Sequence, residues 1–446
     1  MNKLNYNLNI INKKYYIDSR DVKEDSAFVC LKGNNNDGHK FINYVLNNFK
    51  KTIVIGEKNS KYTKNYRYNK RVILCNSTRK FIKDLAKIKR LVLNDRFFIG
   101  VTGSSGKTSL KEILYSILKK YDSTYKSQKS FNNDIGLPFT LLNQNKISRY
   151  NIYEVGMNRL GEIDTLSKIL KPNLAVITNI GEAHLGKLGS VNNIAKAKSE
   201  IIKNVTRNGF IILNKDCKFY EKFKRISKLN KLKILSFGQG TNATISFKII
   251  DLDTLKIKLR NKHFKLKLSN MNFNNIKNIL VCILVLDCLN LNINFAKNIF
   301  KKIKSVRGRG NLVKIKKKIS IIDDSYNSNP ISLKNSIYEF HNLKTKKNKI
   351  LVLGDMFELG KFSKKKHIEI GKYLKLFKFD RIYLVGQKSK QIHNQIKSTF
   401  WCKYCKNINV FSKQFKNVLM ENSIIMFKAS NGVGLNKLLN KKIYKC

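Results

Sequence analysis

The stretch FFIGVTGSSGKTSLKEILYSIL, residues 97–118, decides the fold. Its first part, FFIGV, is a short apolar run that predicts a buried strand, and apolar residues recur at helical spacing from Leu110 to Leu118. A strand, a glycine-containing turn and a helix N-terminus together form an anion site, because unpaired backbone N–H groups and the helix dipole both face the turn. The segment therefore predicts a phosphate-binding loop made of Gly103, Ser104, Ser105, Gly106, Lys107, Thr108 and Ser109.

This loop differs from a regular Walker A sequence at one position. A Walker A sequence has a glycine five residues before the glycine that precedes the lysine, and here that position holds Val101. Lys107 is still placed to contact outer phosphates, and the hydroxyl of Thr108 is placed to ligate Mg2+. The alternative is a Gly/Ser turn with one exposed lysine, but the strand before the turn and the helix after it favour the phosphate loop.

The order of predicted elements along the 446 residues indicates an α/β protein of three domains. Residues 1–92 hold short strand signals around a loop rich in Gly and Asn, which predicts a small α/β domain. Residues 93–305 alternate strands and helices, with a last strand at 209–214, which predicts a mainly parallel sheet in a P-loop-type ATPase domain. Residues 306–446 continue the alternation with four more strands and predict a Rossmann-like domain.

The net charge of the chain is strongly positive. There are 89 Lys and Arg against 29 Asp and Glu, a balance of +60 that raises the alternative of a nucleic-acid-binding protein. The lysines are scattered over every segment, and they accompany abundant Asn, Ile, Phe and Tyr, whose codons are rich in A and T. Compositional drift explains this pattern without a partner, so no nucleic-acid partner is expected.

Cysteine usage and apolar runs indicate a cytoplasmic chain with no membrane segment. The eight cysteines are irregularly spaced, and the start MNKLNYNLNIINKKYY has no apolar core of signal-peptide length. The CxxC at Cys402 and Cys405 has no second pair, so free thiols are favoured over the alternative of a zinc site. The longest apolar run, residues 279–289, is interrupted by Asp287, is too short to span a bilayer and predicts a buried helix.

Polar residues that suit a metal or a nucleotide follow several predicted strands. Glu154 stands at a strand end and His184 follows the next strand, and such ends meet at one edge of an open parallel sheet. A Glu and a His near a phosphate loop are candidates to hold Mg2+, although each one alone reads as an ordinary loop residue. In the third domain, Arg309 in a Gly-flanked turn suits a transferring phosphate and Asp324 suits a ribose.

The segment AKAKSEI carries Lys196, Lys198 and Glu200 on a predicted helix. In so lysine-rich a chain, these charges on their own predict a solvated helix face.

Taken in order, these motifs resemble the Mur ligase family. The resemblance covers nearly the whole chain and rests on DSR (18–20) with KGNNNDGHKF (32–41), VTGSSGKTSLKE (101–112), FNNDIGLPFTLL (131–142), EVGMNRLGEI (154–163), TNIGEAHLGKLGS (178–190) with IAKAKSEI (194–201), DDSYNSNP (323–330) and LGDMFELG (353–360). The short phosphate loop is the form that this family uses, which accounts for Val101.

The resemblance implies a role for each candidate residue. Lys107 and Thr108 would bind ATP phosphates and Mg2+, and Glu154 and His184 would help to hold the metal. Lys198 matches the family lysine that forms a carbamate with CO2, which for this residue replaces the interpretation as a solvated face. The implied catalytic set is Lys107, Glu154, His184, Lys198 and Arg309. The implied contacts are Asn278 to adenine, Arg309 to phosphate, Asp324 to ribose, Ser19 and Arg20 to the uridine nucleotide, and Asn132 and Asn133 to the muramoyl group.

The activity that the resemblance implies is ATP-dependent amide formation in peptidoglycan precursor synthesis. DDSYNSNP and GDMFELG favour the reaction that joins D-alanyl-D-alanine to UDP-N-acetylmuramoyl-tripeptide through an acyl phosphate. The expected cofactors are ATP, Mg2+ and the Lys198 carbamate, and the expected state is a monomer. The alternatives are another amide ligase of the same family and a degenerate nucleotide-binding protein without catalysis.

Three departures from the family pattern motivate the second alternative. Lys129 and Ser130 stand where Gly-Asn is expected, and NFNNIKN (272–278) lacks the Gly and His of its motif. Near the C-terminus, KASN (428–431) replaces KGSR, which removes an arginine suited to the incoming dipeptide.

Overall fold

The computed structural model describes residues 8–33, 35–128, 131–144, 147–240, 242–250, 254–268, 273–301, 308–315 and 318–443. Three sheets follow one another along the chain, with four, nine and six strands in these residues. The predicted fold class, three successive α/β units, is confirmed. The predicted boundary at 92/93 lies between a helix that ends at Val92 and a strand that begins at Phe97. The boundary at 305/306 and the substitutions at Lys129 and Ser130 lie outside the described residues.

The first unit is a small parallel sheet of four strands in the order β1-β2-β3-β4. Its strands are β1 Lys14–Tyr16, β2 Ser26–Val29, β3 Ile53–Glu57 and β4 Val72–Cys75. Its helices are α1 Leu8–Ile11, α2 Ile42–Asn48 and α3 Thr78–Val92. Apolar side chains at Phe28, Val45 and Val54 are fully buried between α2 and the sheet, which gives this unit a core of its own.

The second unit is a nine-stranded sheet in the order β13-β12-β11-β10-β9-β8-β5-β7-β6. Its strands are β5 Phe97–Thr102, β6 Thr124–Lys126, β7 Tyr150–Glu154, β8 Leu174–Ile177, β9 Phe210–Asn214, β10 Lys233–Gly238, β11 Ile245–Ile249, β12 Thr254–Leu259 and β13 Lys262–Lys267. Its helices are α4 Lys107–Leu118, α5 Gly136–Leu142, α6 Glu162–Leu170, α7 Leu185–Leu188, α8 Val191–Ser199, α9 Tyr220–Leu229, α10 Phe273–Cys288 and α11 Ile293–Lys301.

The prediction that this sheet ends with the strand at Phe210–Asn214 is wrong, because β10 to β13 extend it. Strand β10 is parallel to β9, whereas β12 is antiparallel to both β11 and β13. In β12 and β13, lysines alternate with apolar residues, so one face is buried and the other is solvated. This alternation is a strand signal that the abundance of lysine elsewhere in the chain obscures.

Strand order positions the phosphate loop within the sheet. Strand β5 lies between β7 and β8, and all three strands are parallel. Their carboxyl ends therefore meet at one edge, which brings Glu154 at the end of β7 and the segment after β8 next to the loop after β5. The site predicted at this edge follows directly from this topology.

The third unit is a six-stranded sheet in the order β14-β15-β19-β16-β17-β18, in which only β14 is antiparallel to its neighbour. Its strands are β14 Asn311–Lys314, β15 Ser320–Asp324, β16 Asn348–Gly354, β17 Arg381–Val385, β18 Cys402–Cys405 and β19 Ser423–Lys428. Its helices are α12 Pro330–His341, α13 Ser363–Leu374, α14 Lys390–Ile396, α15 Ile408–Val418 and α16 Leu435–Lys442.

Three further sequence expectations concern the CxxC pair, the longest apolar run and membrane-spanning helices. The CxxC cysteines occupy both ends of β18, and residues three apart on a strand point to opposite faces of a sheet. Within the described ranges, no group of three or more His, Cys, Asp or Glu side chains is placed to hold a metal. The apolar run at 279–289 forms most of α10 and is buried against the central sheet, as predicted. In the part of the chain that the structure describes, no helix has both the length and the apolar character needed to cross a bilayer.

Candidate active site

Two glycines give the phosphate loop its shape. Gly103 has a φ of 147° and Gly106 a φ of 82°, both in the region that side chains disfavour. A Cβ on Gly103 would lie 1.9 Å from Thr178 Oγ1, so only glycine lets the loop pass this close to the end of β8. Gly106 is the N-cap of α4, and it offers no side-chain cap to the N–H groups of the first turn. These N–H groups are therefore available to an anion.

The segment after β8 holds the loop in place. Ser104 N donates to the carbonyl of Asn179 at 3.0 Å, and Ser105 N donates to Asn179 Oδ1 at 2.8 Å. Ser104 Oγ accepts from Gly181 N at 2.9 Å, and Thr178 Oγ1 donates to Ser105 O at 2.7 Å. Because these bonds use the loop's own polar groups on one side, the loop is rigid before any ligand binds.

Lys107 begins α4 and curls back over the loop. Its Nζ donates to Gly103 O at 2.7 Å. Burial lowers the pKa of Lys107, while the negative charge of Glu154 opposes this shift. The ammonium is thus held at the centre of the loop, where a phosphate would sit.

Glu154 ends β7 as a fully buried carboxylate. Its Oε1 lies 3.2 Å from Lys111 Nζ, one turn beyond Lys107 on α4, yet it accepts no hydrogen bond. Asn132 Nδ2 donates to Oε2 at 3.5 Å. Neighbouring Asn133 accepts from Gly136 N at 2.7 Å and so helps to form the start of α5.

His184 follows β8 in a left-handed conformation with a φ of 62°. Its Nδ1 lies 2.8 Å from Glu358 Oε2 of the third unit, an ion-pair distance without an aligned hydrogen bond. The His184 ring lowers the pKa of the Glu358 carboxyl. The imidazole therefore lies where the second and third units meet.

Lys198 is buried near the end of α8, with 1% of the residue exposed. Burial holds its pKa well below the ordinary value, and the charge of Lys107 lowers it further. The interpretation of this helix as a solvated face is wrong for Lys198, whereas Lys196 on the same helix is exposed. Glu200 accepts hydrogen bonds from Gly161 N and Asp164 N at 2.8 and 3.0 Å, so it stabilises the start of α6.

The third unit supplies a cation and a carboxylate to the same space. The Arg309 guanidinium stacks over the Tyr326 ring, 4.4 Å from its centroid. Asp324 at the end of β15 accepts from Lys428 Nζ at 2.6 Å and from Ser336 Oγ at 2.9 Å. Lys428 is 3% exposed, so this ion pair is largely shielded from solvent.

These side chains line one cavity of about 260 Å³ between the second and third units. It brings together fourteen of the predicted site residues: Ser104, Ser105, Gly106, Lys107, Thr108, Ser109, Asn132, Asn133, Glu154, His184, Lys198, Asn278, Arg309 and Asp324. Gly103, the first residue of the loop, does not line the cavity but allows the loop to pass close to Thr178. Three cationic side chains, those of Lys107, Arg309 and Lys428, line it together with the buried amine of Lys198, so the cavity suits a polyanion.

Ser19 and Arg20 are both described, and neither lines this cavity. Ser19 is largely buried in the first unit, and the exposed Arg20 guanidinium pairs with Asp18 at 2.6 Å. Their assignment to a uridine nucleotide stays a prediction.

A second cavity of about 660 Å³ continues from the first past Ser105, Gly106 and Asn278, which line both. Its walls include the apolar or aromatic side chains of Ile180, Phe237, Val281, Ile331 and Tyr338. Ile331 and Tyr338 come from α12 of the third unit. The two cavities together offer a polar end for phosphates and an apolar end for a flat ring.

The donor set fits Mg2+. Glu154 Oε1 is a buried carboxylate oxygen that has the Lys111 ammonium at 3.2 Å but accepts no hydrogen bond, so it retains the capacity to ligate a cation. Thr108 lines the same cavity, and hydroxyl and carboxylate oxygens are ligands that Mg2+ takes alongside phosphates. The imidazole of His184, also in the cavity wall, adds a nitrogen donor to this set. The buried amine of Lys198 likewise fits the chemistry of a carbamate, because its lowered pKa favours the neutral form.

Sequence reasoning missed several residues of the site. Lys111, Tyr326, Glu358 and Lys428 each contact a predicted residue, but none was singled out for chemistry. Lys111 lies four residues after Lys107 on α4, and this helical spacing is a signal that would have placed both lysines on one face. The other three lie within quoted motifs, DDSYNSNP, LGDMFELG and KASN, but no local pattern indicates which residue each of them contacts.

Comparison with known proteins gives matches along most of the chain. Residues 101–286 match the Mur ligase middle domain, and residues 308–431 match the family described as Mur ligase, glutamate ligase domain. This chain belongs to the Mur ligase family. The resemblance seen in the sequence motifs is thereby confirmed.

Individual relatives from this family are similar over nearly their whole length. The UDP-N-acetylmuramoyl-tripeptide–D-alanyl-D-alanine ligase of Rickettsia prowazekii is 32% identical, over 95% of this chain and 93% of the relative. The ligase of the same name from Bacillus subtilis is 30% identical, over 96% of this chain and 92% of that relative. Among solved structures, the MurF ligase of Thermotoga maritima in complex with ADP has a TM-score of 0.83 at 29% identity, covering 98% of this chain and 99% of that one. The structure of MurF from Acinetobacter baumannii has a TM-score of 0.85 at 27% identity, and the match covers 96% of this chain and 92% of that one.

Proposed function

We propose that this Mur ligase joins D-alanyl-D-alanine to UDP-N-acetylmuramoyl-tripeptide and converts ATP to ADP and phosphate. The observation that carries the proposal is the cavity in which the Lys107 ammonium and the buried Lys198 amine of the second unit meet the Arg309 guanidinium of the third. The full-length similarity to ligases that bear this name supports the choice of substrates. A cytoplasmic location and a monomeric state remain expectations of the proposal.

ATP would lie across the two joined cavities. The N–H groups at the start of α4 and the ammonium of Lys107 suit the β- and γ-phosphates. The adenine would enter the larger cavity, where Asn278 separates the apolar walls from the loop. Asp324, oriented by Lys428, suits the ribose hydroxyls. The ADP complex of the Thermotoga maritima relative supports a nucleotide site in this fold.

The first chemical step is phosphate transfer. An oxygen of the tripeptide carboxylate attacks the γ-phosphorus, the bond from that phosphorus to the β-bridging oxygen breaks, and ADP leaves. Two anions must approach each other, so the charges of Lys107 and Arg309 lower the barrier by stabilising the negative charge of the transition state. Thr108, Glu154 and His184 would hold Mg2+, which when bound neutralises and orients the phosphate oxygens.

The second step forms the amide. The amine of D-alanyl-D-alanine attacks the acyl carbon, and phosphate leaves with the C–O bonding pair and takes up the proton that the amine loses. Water would hydrolyse the acyl phosphate, so the placement of Arg309 and Asp324 on a separate unit favours a mechanism in which closure excludes water. Asn132 and Asn133, at the Glu154 side of the cavity, are proposed to contact the muramoyl substrate.

Lys198 is proposed to carry a carbamate. A neutral amine adds to CO2 with loss of a proton, and burial beside Lys107 favours that neutral form. The resulting anion would offset the charge of Lys107 and support the metal.

The test is phosphate release by the purified chain given ATP, Mg2+, UDP-N-acetylmuramoyl-tripeptide and D-alanyl-D-alanine. Release that requires all substrates, and that a Lys107→Ala variant lacks, is the expected result. Folded protein that releases no more phosphate than the controls lacking one substrate would overturn the proposal. ATP binding without turnover would instead identify the degenerate alternative, and paired assays with lysine and diaminopimelate at the third peptide position would define the acceptor.

A further inference from the structure

The segment after β16 in the third unit docks onto the segment after β8 in the second. Gly186 N donates to the carbonyl of Glu358 at 2.8 Å. A Cβ on Gly186 would lie 2.5 Å from Gly360 N, so the two backbones touch where neither residue has a side chain. This contact lies within two residues of His184 along the chain.

The same contact joins two side chains across the interface. Glu358 Oε2 lies 2.8 Å from His184 Nδ1. Both residues have left-handed backbones, with φ of 64° for Glu358 and 62° for His184. This conformation is uncommon for residues with side chains. Two such residues that face each other indicate that the local structure specifies their pairing.

A second ion pair supports the docking without contacting His184. Lys366 Nζ of α13 lies 2.7 Å from Glu182 Oε1 and 2.9 Å from Glu369 Oε2. The interface therefore contains one ion pair at the imidazole and another beside it, and the two can be tested separately.

We propose that Glu358 is a positioning residue whose carboxylate, 2.8 Å from His184 Nδ1, orients the imidazole and leaves Nε2 to the metal, so that docking of the third unit completes the metal site. The inference rests on the proposed role of His184 as a metal ligand. Carboxylates that orient a ligating histidine through its other ring nitrogen are widespread, and their loss weakens metal binding or activity about 10- to 100-fold.

This arrangement has a consequence for the order of events. Before the third unit docks, His184 lacks its carboxylate partner, and the metal site is incomplete while water has access to the cavity. After docking, the site that activates the γ-phosphate and the barrier that excludes water are established together. ATP is thereby protected from unproductive hydrolysis in the undocked state.

The test compares Mn2+ affinity, measured by electron paramagnetic resonance with a non-hydrolysable ATP analogue, in four single variants and one double variant of the full chain. Glu358→Ala is expected to weaken Mn2+ binding at least tenfold. Glu358→Gln, which keeps an acceptor for Nδ1–H, is expected to restore most of the affinity. Lys366→Met, which breaks only the neighbouring ion pair, is expected to stay within about twofold of the parent. His184→Ala removes the ligand itself and therefore gives the largest loss of Mn2+ affinity expected from this site. Adding Glu358→Ala to His184→Ala is expected to cause no further loss of affinity.

Docking itself is followed by hydrogen exchange of a peptide that contains Gly186, whose amide bonds to the Glu358 carbonyl and not to its side chain. Retained protection with weakened Mn2+ binding in Glu358→Ala supports the positioning role. Equal loss of protection and affinity in Glu358→Ala and Lys366→Met would overturn it in favour of docking alone.

Unchanged Mn2+ affinity in Glu358→Ala, with a loss in His184→Ala, would also overturn the inference while leaving the proposed function intact. Unchanged affinity in His184→Ala would overturn both the inference and the ligand role of His184, and the phosphate-release assay then decides the overall function independently.

Discussion

Lys111 Nζ lies 3.2 Å from Glu154 Oε1, and each side chain is 1% exposed. The same ammonium donates to the carbonyl of Ser127 at 2.8 Å. A buried ion pair of this kind adds little net stability, but removing one partner leaves an uncompensated charge. Lys111 therefore supplies the counter-charge to a buried carboxylate at the metal side of the cavity.

Replacing Lys111 by Met is expected to lower the free energy of unfolding by about 3–5 kcal/mol, because Glu154 would lose its buried counter-charge. Urea denaturation followed by circular dichroism measures the change. Lys111→Arg keeps the positive charge, so its free energy of unfolding is expected to fall by less than that of Lys111→Met. Equal stability of Lys111→Met and the parent would show that the ion pair is not formed in solution.

Lys198 is expected to carry a carbamate at neutral pH, since its buried amine has a lowered pKa. Protein equilibrated with 13C-bicarbonate should give one carbamate carbonyl signal in the NMR spectrum, and Lys198→Met should remove it. Lys196→Met, which changes an exposed lysine on the same helix, is the matched control. A signal that survives Lys198→Met would assign the carbamate elsewhere.

Lys428 is expected to affect ATP binding through Asp324, whose Oδ2 it contacts at 2.6 Å. Lys428→Met removes a charge-assisted hydrogen bond worth about 1.5–3 kcal/mol, which corresponds to a rise of roughly 10- to 150-fold in the KM for ATP. Lys416→Met, at an exposed position of α15, should leave the KM unchanged. An unchanged KM in Lys428→Met would exclude Asp324 from nucleotide binding.

His367 makes the third unit sensitive to acid. It is buried on α13, its Nε2 accepts from Met356 N at 3.1 Å, and its Nδ1 lies 2.7 Å from the Ser363 carbonyl, so the native state requires the neutral ring. Burial lowers the pKa of His367 below its ordinary value of 6.5. The unfolded chain therefore binds a proton that the folded chain does not, and stability is lost as the pH falls below about 6.5.

The decrease in the free energy of unfolding that is due to His367 should be at most about 1.4 kcal/mol per pH unit. Urea denaturation between pH 7.5 and 5.5 measures it, and the slope should flatten in His367→Gln. An identical slope in the variant would assign the acid sensitivity to other groups.

The sequence predicts the elements that local patterns specify. The loop at 103–109, the strand end at Glu154 and the buried α10 follow from glycine placement, apolar runs and strand order. The burial of Lys198 and its lowered pKa do not follow from the sequence of its own helix. The burial depends on how α8 packs, and the pKa depends on that burial and on the nearby charge of Lys107. The motif resemblance distinguished it from Lys196, and periodicity alone did not.

Contacts between units are the part that sequence reasoning missed. Glu358 and His184 are separated by more than 170 residues, and no local signal predicts that they meet. Strands β10 to β13 were missed for a different reason: their alternating lysines blend into a chain that is rich in lysine throughout.

The glycine contacts mark a limit to the composition of this chain. Its drift toward residues with A/T-rich codons works against glycine, whose codons begin with two guanines, yet 23 glycines remain. At Gly103, Gly186 and Gly360, an added Cβ would lie within 2.8 Å of a neighbouring atom. Mutational pressure can replace surface residues by lysine and asparagine at little cost in stability. At these three positions any side chain would clash, so glycine and its codon are retained.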